Sequence, residues 1–104
     1  MKTGNIIAFA PSPKRDVEVR ITREELFSSI SEPPGAIKGS DVVGYDVVEK
    51  RPHWWRLPLY HLHVRLSTGR SVLFYTTAKQ IDIALLLDEF GAAFRDVPRT
   101  WKKA

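Results

Sequence analysis

The chain has 104 residues, 43% hydrophobic and 27% charged, a balance that suits one folded domain and is unlike that of disordered proteins. It contains no cysteine, which excludes disulfide staples, thiolate metal sites and cysteine nucleophiles and fits a reducing compartment. The net charge of +4 and pI near 9.6 are mild, but their distribution is not even. Six cations and no acid lie between Glu49 and Asp82, so that segment carries +6 and leaves −2 for the rest.

The N-terminal apolar run, Ile6 to Ala10, is shorter than the roughly seven to fifteen residues of a signal-peptide core. No stretch approaches the roughly twenty apolar residues of a membrane span. A soluble, cytoplasmic protein is expected.

Asn5 to Ala10 reads as a short apolar strand ended by Pro11 and Pro13. Val17, Val19 and Ile21 then alternate with Glu18 and Arg20, the pattern of a half-buried strand. Thr22 followed three residues later by Glu25 is a capping-box spacing. It predicts a short helix from about Arg23 to Ile30, with Leu26, Phe27 and Ile30 on one side. The Pro-, Gly- and Ser-rich stretch 31–40 is the main loop, and a strand is expected from Asp41 to Lys50.

Pro52 and Pro58 bracket a turn or irregular strand entrance that holds His53, Trp54, Trp55 and Arg56. The clearest signal follows: Tyr60, Leu62, Val64 and Leu66 alternate with His61, His63 and Arg65, and Ser71 to Thr76 returns after a turn at Ser67–Arg70. A two-residue loop at Thr68-Gly69 would pair Leu62 with Tyr75 and Val64 with Leu73 on one face. The other face would pair His63 with Phe74 and Arg65 with Val72. A longer turn shifts that register by one. Thr77 and Gln80 repeat the capping-box spacing, and a helix from about Ala78 to Phe94 carries Ile83, Leu86, Leu87, Phe90 and Phe94 as an apolar stripe, with Asp82, Asp88 and Glu89 mostly off it.

The expected fold is α+β: about five strands in a mainly antiparallel sheet, a short N-terminal helix, and a C-terminal helix packed on one face. A single domain over 1–104 is expected, with a basic tail from about 97.

Several constellations could carry chemistry. His61 and His63 leave one face of a strand and His53 stands nearby; three imidazoles can hold zinc. His-x-His alone is more often a solvent-facing strand, and Arg56 and Arg65 would repel a cation, so no metal site is assigned. None of the serines lies in a G-x-S-x-G elbow. Glu24-Glu25 and Asp88-Glu89 are helix-adjacent pairs that point apart, and no phosphate-binding glycine loop is present. No enzyme activity and no cofactor are expected. Lys50, Arg51, Trp54, Trp55, Arg56, His61, His63 and Arg65 interleave cations with aromatic groups and form the candidate binding surface, with Phe74 beside the strand residues. Cations neutralise phosphates and tryptophans stack on bases, which suits nucleic acid or another polyanion. Trp and Arg also dominate protein-binding hot spots, and Trp101 and an outward Leu59 add apolar bulk. A protein partner or homo-oligomer is favoured, with nucleic acid the alternative. A membrane-surface role fits less well, because the basic segment is a strand pair and not an amphipathic helix.

Overall fold

The computed structural model describes residues 5–12, 15–51 and 57–103, with backbone alone before residue 17. Among these residues, eight strands form two four-stranded sheets, accompanied by one α-helix. The α+β class is as expected; the two sheets replace the single sheet of about five strands.

The first sheet runs in chain order through β1 (Asn5–Ser12), β2 (Arg15–Ile21), β3 (Glu25–Ser28) and β4 (Ile37–Lys38), each pair antiparallel. The β1–β2 register slips between Phe9 and Ser12, the stretch that holds Pro11, which has no N–H to give a ladder. Along β2 the alternation is realised: Val17, Val19 and Ile21 are buried and Glu18 is exposed.

The N-terminal helix expected over 23–30 is instead β3. Thr22 and Glu25 do bond locally, the Glu25 N–H donating to Thr22 Oγ1 at 2.8 Å. However, the Thr22 N–H donates to the Glu25 carbonyl at 3.0 Å, which closes a turn between β2 and β3. Cross-strand pairing of Ile21 with Leu26 and Arg20 with Phe27 then takes over. Ser28 and Ser29 would be poor helix interior; here Ser29 Oγ accepts the Glu18 N–H at 3.0 Å.

The loop 31–40 is tied at both ends. Glu32 exchanges backbone hydrogen bonds with Leu73 at 2.9 and 3.0 Å, and β4 pairs with β3. A 3₁₀ turn at Gly39–Asp41 leads into the second sheet.

That sheet has the order β7–β6–β5–β8, with β5 at Val42–Lys50, β6 at Leu59–Leu66, β7 at Ser71–Thr77 and β8 at Arg99–Lys103. β5, β6 and β7 are antiparallel neighbours, and β8 lies parallel to β5. Leu62 pairs with Tyr75 as the two-residue loop predicts, but nearer the turn His63 pairs with Leu73, Val64 with Val72 and Arg65 with Ser71. The loop is longer: the Leu66 N–H meets the Arg70 carbonyl at 2.8 Å, and Gly69 takes a φ of +90° that only glycine adopts freely. Phe74 is the extra residue of a β-bulge, so Phe74 and Tyr75, consecutive in sequence, are both fully buried. The outward pairs His63–Phe74 and Arg65–Val72 are therefore not formed.

α1 (Gln80–Ala93) connects β7 to β8. Ile83, Leu86, Phe90 and the following Phe94 are buried and Leu87 is half-buried, which realises the apolar stripe. The Phe90 ring centres the core, 4.7 Å from Tyr45, 5.5 Å from Phe74 and 6.0 Å from Phe94. One cluster of buried side chains takes in both sheets and the helix. The helix start differs from a capping box: Lys79 is the N-cap without a side-chain bond. Thr77 Oγ1 accepts the Lys79 N–H at 3.0 Å and donates to Asp82 Oδ2 at 2.9 Å. Asp82, expected off the stripe, is buried. No helix among the described residues is long and apolar enough to cross a membrane.

Candidate interaction surface

Strand alternation sends Tyr60, Leu62 and Val64 into the core and leaves His61, His63 and Arg65 on the outer face of β6. Register sets their neighbours: Asp46 lies across from His63, Val48 across from His61, and Gly44 across from Arg65. On the far side of β5, Thr100 aligns with Asp46 and Lys102 with Val48. The outer face thus draws on three strands from distant parts of the chain.

Arg65 is not the independent cation its sequence context suggests. Its Nε lies 3.0 Å from Asp46 Oδ2, with the Asp46 side chain 13% exposed and that of Arg65 40% exposed. Gly44 makes this possible, because the guanidinium lies over its backbone where any Cβ would collide with Nη2 and Cζ. The other Asp46 oxygen takes a short hydrogen bond from the Thr100 hydroxyl. The segment that is acid-free in sequence is consequently not acid-free in space: β5 supplies Asp46 beside His63 and Glu49 across from Tyr60.

The two imidazoles lie face to face on the strand, ring centroids 6.3 Å apart. Partial burial, the Lys50 charge and the neighbouring His63 all hold the His61 pKa below its ordinary value. His63 is also depressed, by partial burial first, with the Asp46 carboxylate opposing and Lys50 adding to the effect. Both rings are therefore neutral at pH 7. His61 Nδ1 lies 3.3 Å from Thr76 Oγ1. Among the described residues no group of three His, Cys, Asp or Glu side chains is arranged to hold a metal ion.

The sheet ends on β8, all five residues of which are exposed. Trp101 aligns with the buried Val47 and so lies on the core side of the strand. Its ring meets Tyr60 edge-on at 6.0 Å and its Nε1–H donates to Glu49 Oε1 at 3.2 Å. Even so it is 43% exposed. A cleft of about 360 Å³ opens there, lined by Leu87, Arg99, Thr100 and Trp101. Arg99 hydrogen-bonds the Tyr45 hydroxyl; burial raises the Tyr45 pKa and this guanidinium partly opposes the rise. A second groove, about 370 Å³, runs from Pro33 and Pro34 to Leu66 and Val72.

Of the eight residues singled out from sequence, His61, His63 and Arg65 share the outer face of β6. Lys50 sits exposed at the end of β5 opposite Leu59, with Arg51 exposed just beyond. Trp54, Trp55 and Arg56, like His53, lie outside the described residues. Phe74 does not extend the patch, being fully buried against Phe90. Leu59 is 37% exposed, as an outward residue should be. Trp101 was expected to add apolar bulk, but the roles of Asp46 and Gly44 and the strand β8 itself were not foreseen. A parallel edge strand of sequence Arg-Thr-Trp-Lys-Lys has no apolar alternation to announce it.

Comparison with family models, with curated proteins and with solved structures finds no match for this chain. Its own geometry carries the functional reading.

Proposed function

We propose that this protein is a non-enzymatic binding module whose partner is a polypeptide, a second copy of the chain included. The observation that carries this reading is the exposed apolar bulk at one end of the second sheet. Trp101, 43% exposed, lines a cleft with Leu87, Arg99 and Thr100, and Leu59 at 37% and Leu57 at 75% exposure add apolar bulk at the start of β6. Large apolar side chains left exposed beside a cleft suit an interaction site, and Trp is among the residue types most concentrated in such sites. The polyanion alternative loses weight because Arg65 is paired with Asp46 and both histidines are held neutral. Among the described residues, what then remains for phosphates on the outer face is Lys50 and Lys102.

A random-peptide display library panned against the folded protein tests the reading. Binders are expected whose affinity falls at least tenfold when Leu59→Ser and Trp101→Ser are combined. A short single-stranded oligonucleotide should leave the amide resonances of 57–66 in place at low salt. A library that yields no such binders, together with salt-sensitive oligonucleotide shifts at Lys50, His63 and Arg65, would replace the polypeptide reading with the polyanion one.

A further inference from the structure

The outer edge of β8 is a second feature of the same end of the molecule. β8 closes the sheet order, so one of its edges pairs with β5 and the other pairs with no strand among the described residues. Such an edge presents a row of main-chain N–H and C=O groups that invites another strand. The five residues carry Arg99, Lys102 and Lys103 and no acid. Within the described residues neither Lys102 nor Lys103 forms an ion pair. Arg99 and Trp101 flank the cleft on the core side, while Thr100 also reaches it.

We infer that the free edge of β8 accepts an extended, acidic segment of a partner protein as an added strand, with an apolar side chain of that segment seated in the cleft between Leu87 and Trp101. This rests on the polypeptide-binding reading and names its partner class. Three observations select the occupant. The open main-chain edge matches a polypeptide and offers nothing specific to a nucleic acid, whose backbone cannot continue a ladder. Three cations in five residues favour carboxylates on the incoming strand, since opposite charges across a strand pair attract and like charges repel. The same rule disfavours a second copy at this edge, because β8 paired with β8 sets cations against cations. The cleft supplies the side-chain selectivity that main-chain bonds lack.

The test is an amide-resolved NMR titration of the full chain with an eight-residue peptide alternating glutamate with leucine. The same peptide with lysine for glutamate and a short oligonucleotide are run in parallel. The acidic peptide is expected to shift and protect the Arg99–Lys103 amides. Binding should weaken at least tenfold for the lysine peptide, and at least tenfold in the Lys102→Glu, Lys103→Glu double variant, whose exposed substitutions leave the core untouched. Shifts confined to other elements would overturn the edge and leave the binding-module reading standing. No shift at millimolar peptide would overturn the edge as well, while display panning decides the broader reading separately. An oligonucleotide that occupies β8 more tightly than the acidic peptide would overturn both.

Discussion

Gly44 lies beneath the guanidinium of Arg65, close enough that any side chain at position 44 would displace it. Arg65 is thereby laid flat across β5 and brought to Asp46. Gly44→Ala should force it away, and because the obstacle is the far end of a flexible, partly exposed side chain the cost should be about 0.5–1 kcal/mol. Gly39→Ala meets the backbone carbonyl of Arg23 instead, which cannot swing aside, so a loss of about 2 kcal/mol is expected. Gly91 in α1 faces open space, and Gly91→Ala should stabilise by roughly 1 kcal/mol through helix propensity. Urea midpoints should rise from Gly39→Ala, the lowest, through Gly44→Ala to Gly91→Ala, which should lie above wild type.

The outer-face histidines make stability depend on pH in a defined direction. Both have folded pKa values below the unfolded value of about 6.5. The unfolded chain therefore binds protons that the folded chain resists, and stability, complete above about pH 6.5, declines as the pH falls through 6.5 toward the folded values. Replacing His61 and His63 together with Gln should flatten this part of the profile. Asp46→Asn removes the one influence that raises His63, so the His63 titration seen by NMR should move lower still.

Thr77 holds a buried carboxylate. Its hydroxyl donates to Asp82 at 2.9 Å while accepting the Lys79 N–H at 3.0 Å, and Asp82 is only 6% exposed. Burial together with that Asp82 charge pushes the nearby Tyr75 hydroxyl strongly upward. Thr77→Val keeps the shape and deletes both bonds, which should cost about 1–3 kcal/mol. Thr77→Ser retains the donor and should recover most of the loss in a thermal melt.

The elements that could be read from sequence are those whose periodicity is written in apolar residues. The stripe Ile83, Leu86, Phe90 and the alternation Tyr60, Leu62, Val64 both survive in the core, because burial of exactly those faces is what drives their formation. Thr22 and Glu25 misled because one hydroxyl–amide bond serves a helix start and a β-turn alike, and only pairing with β2 distinguishes them. The Phe74 bulge was hidden because an apolar residue added to an apolar strand leaves no mark on composition. The charge pattern failed for a different reason: Asp46 is nineteen positions from Arg65 in sequence yet forms an ion pair with it in space. Linear charge segregation therefore says little about a face that several strands share. In sequence the stretch 99–103 reads as a basic tail, since nothing in five exposed residues records that β5 will pair with them.

Trp101 separates binding from stability. Phe90→Ala would empty the centre of the core beside Tyr45, Phe74 and Phe94 and should cost about 3–5 kcal/mol, a large share of the roughly 5–15 kcal/mol that holds such a domain together. Trp101→Ala removes an edge contact with Tyr60 and one hydrogen bond to Glu49 from a half-exposed ring, worth about 1 kcal/mol. The fold should thus persist with a slightly lower melting temperature, while affinity for a polypeptide partner falls at least tenfold because the wall of the cleft is gone. Denaturation and titration of the same Trp101→Ala sample decide the point. Strong destabilisation with unchanged affinity would make the tryptophan a packing residue and move the interaction surface elsewhere.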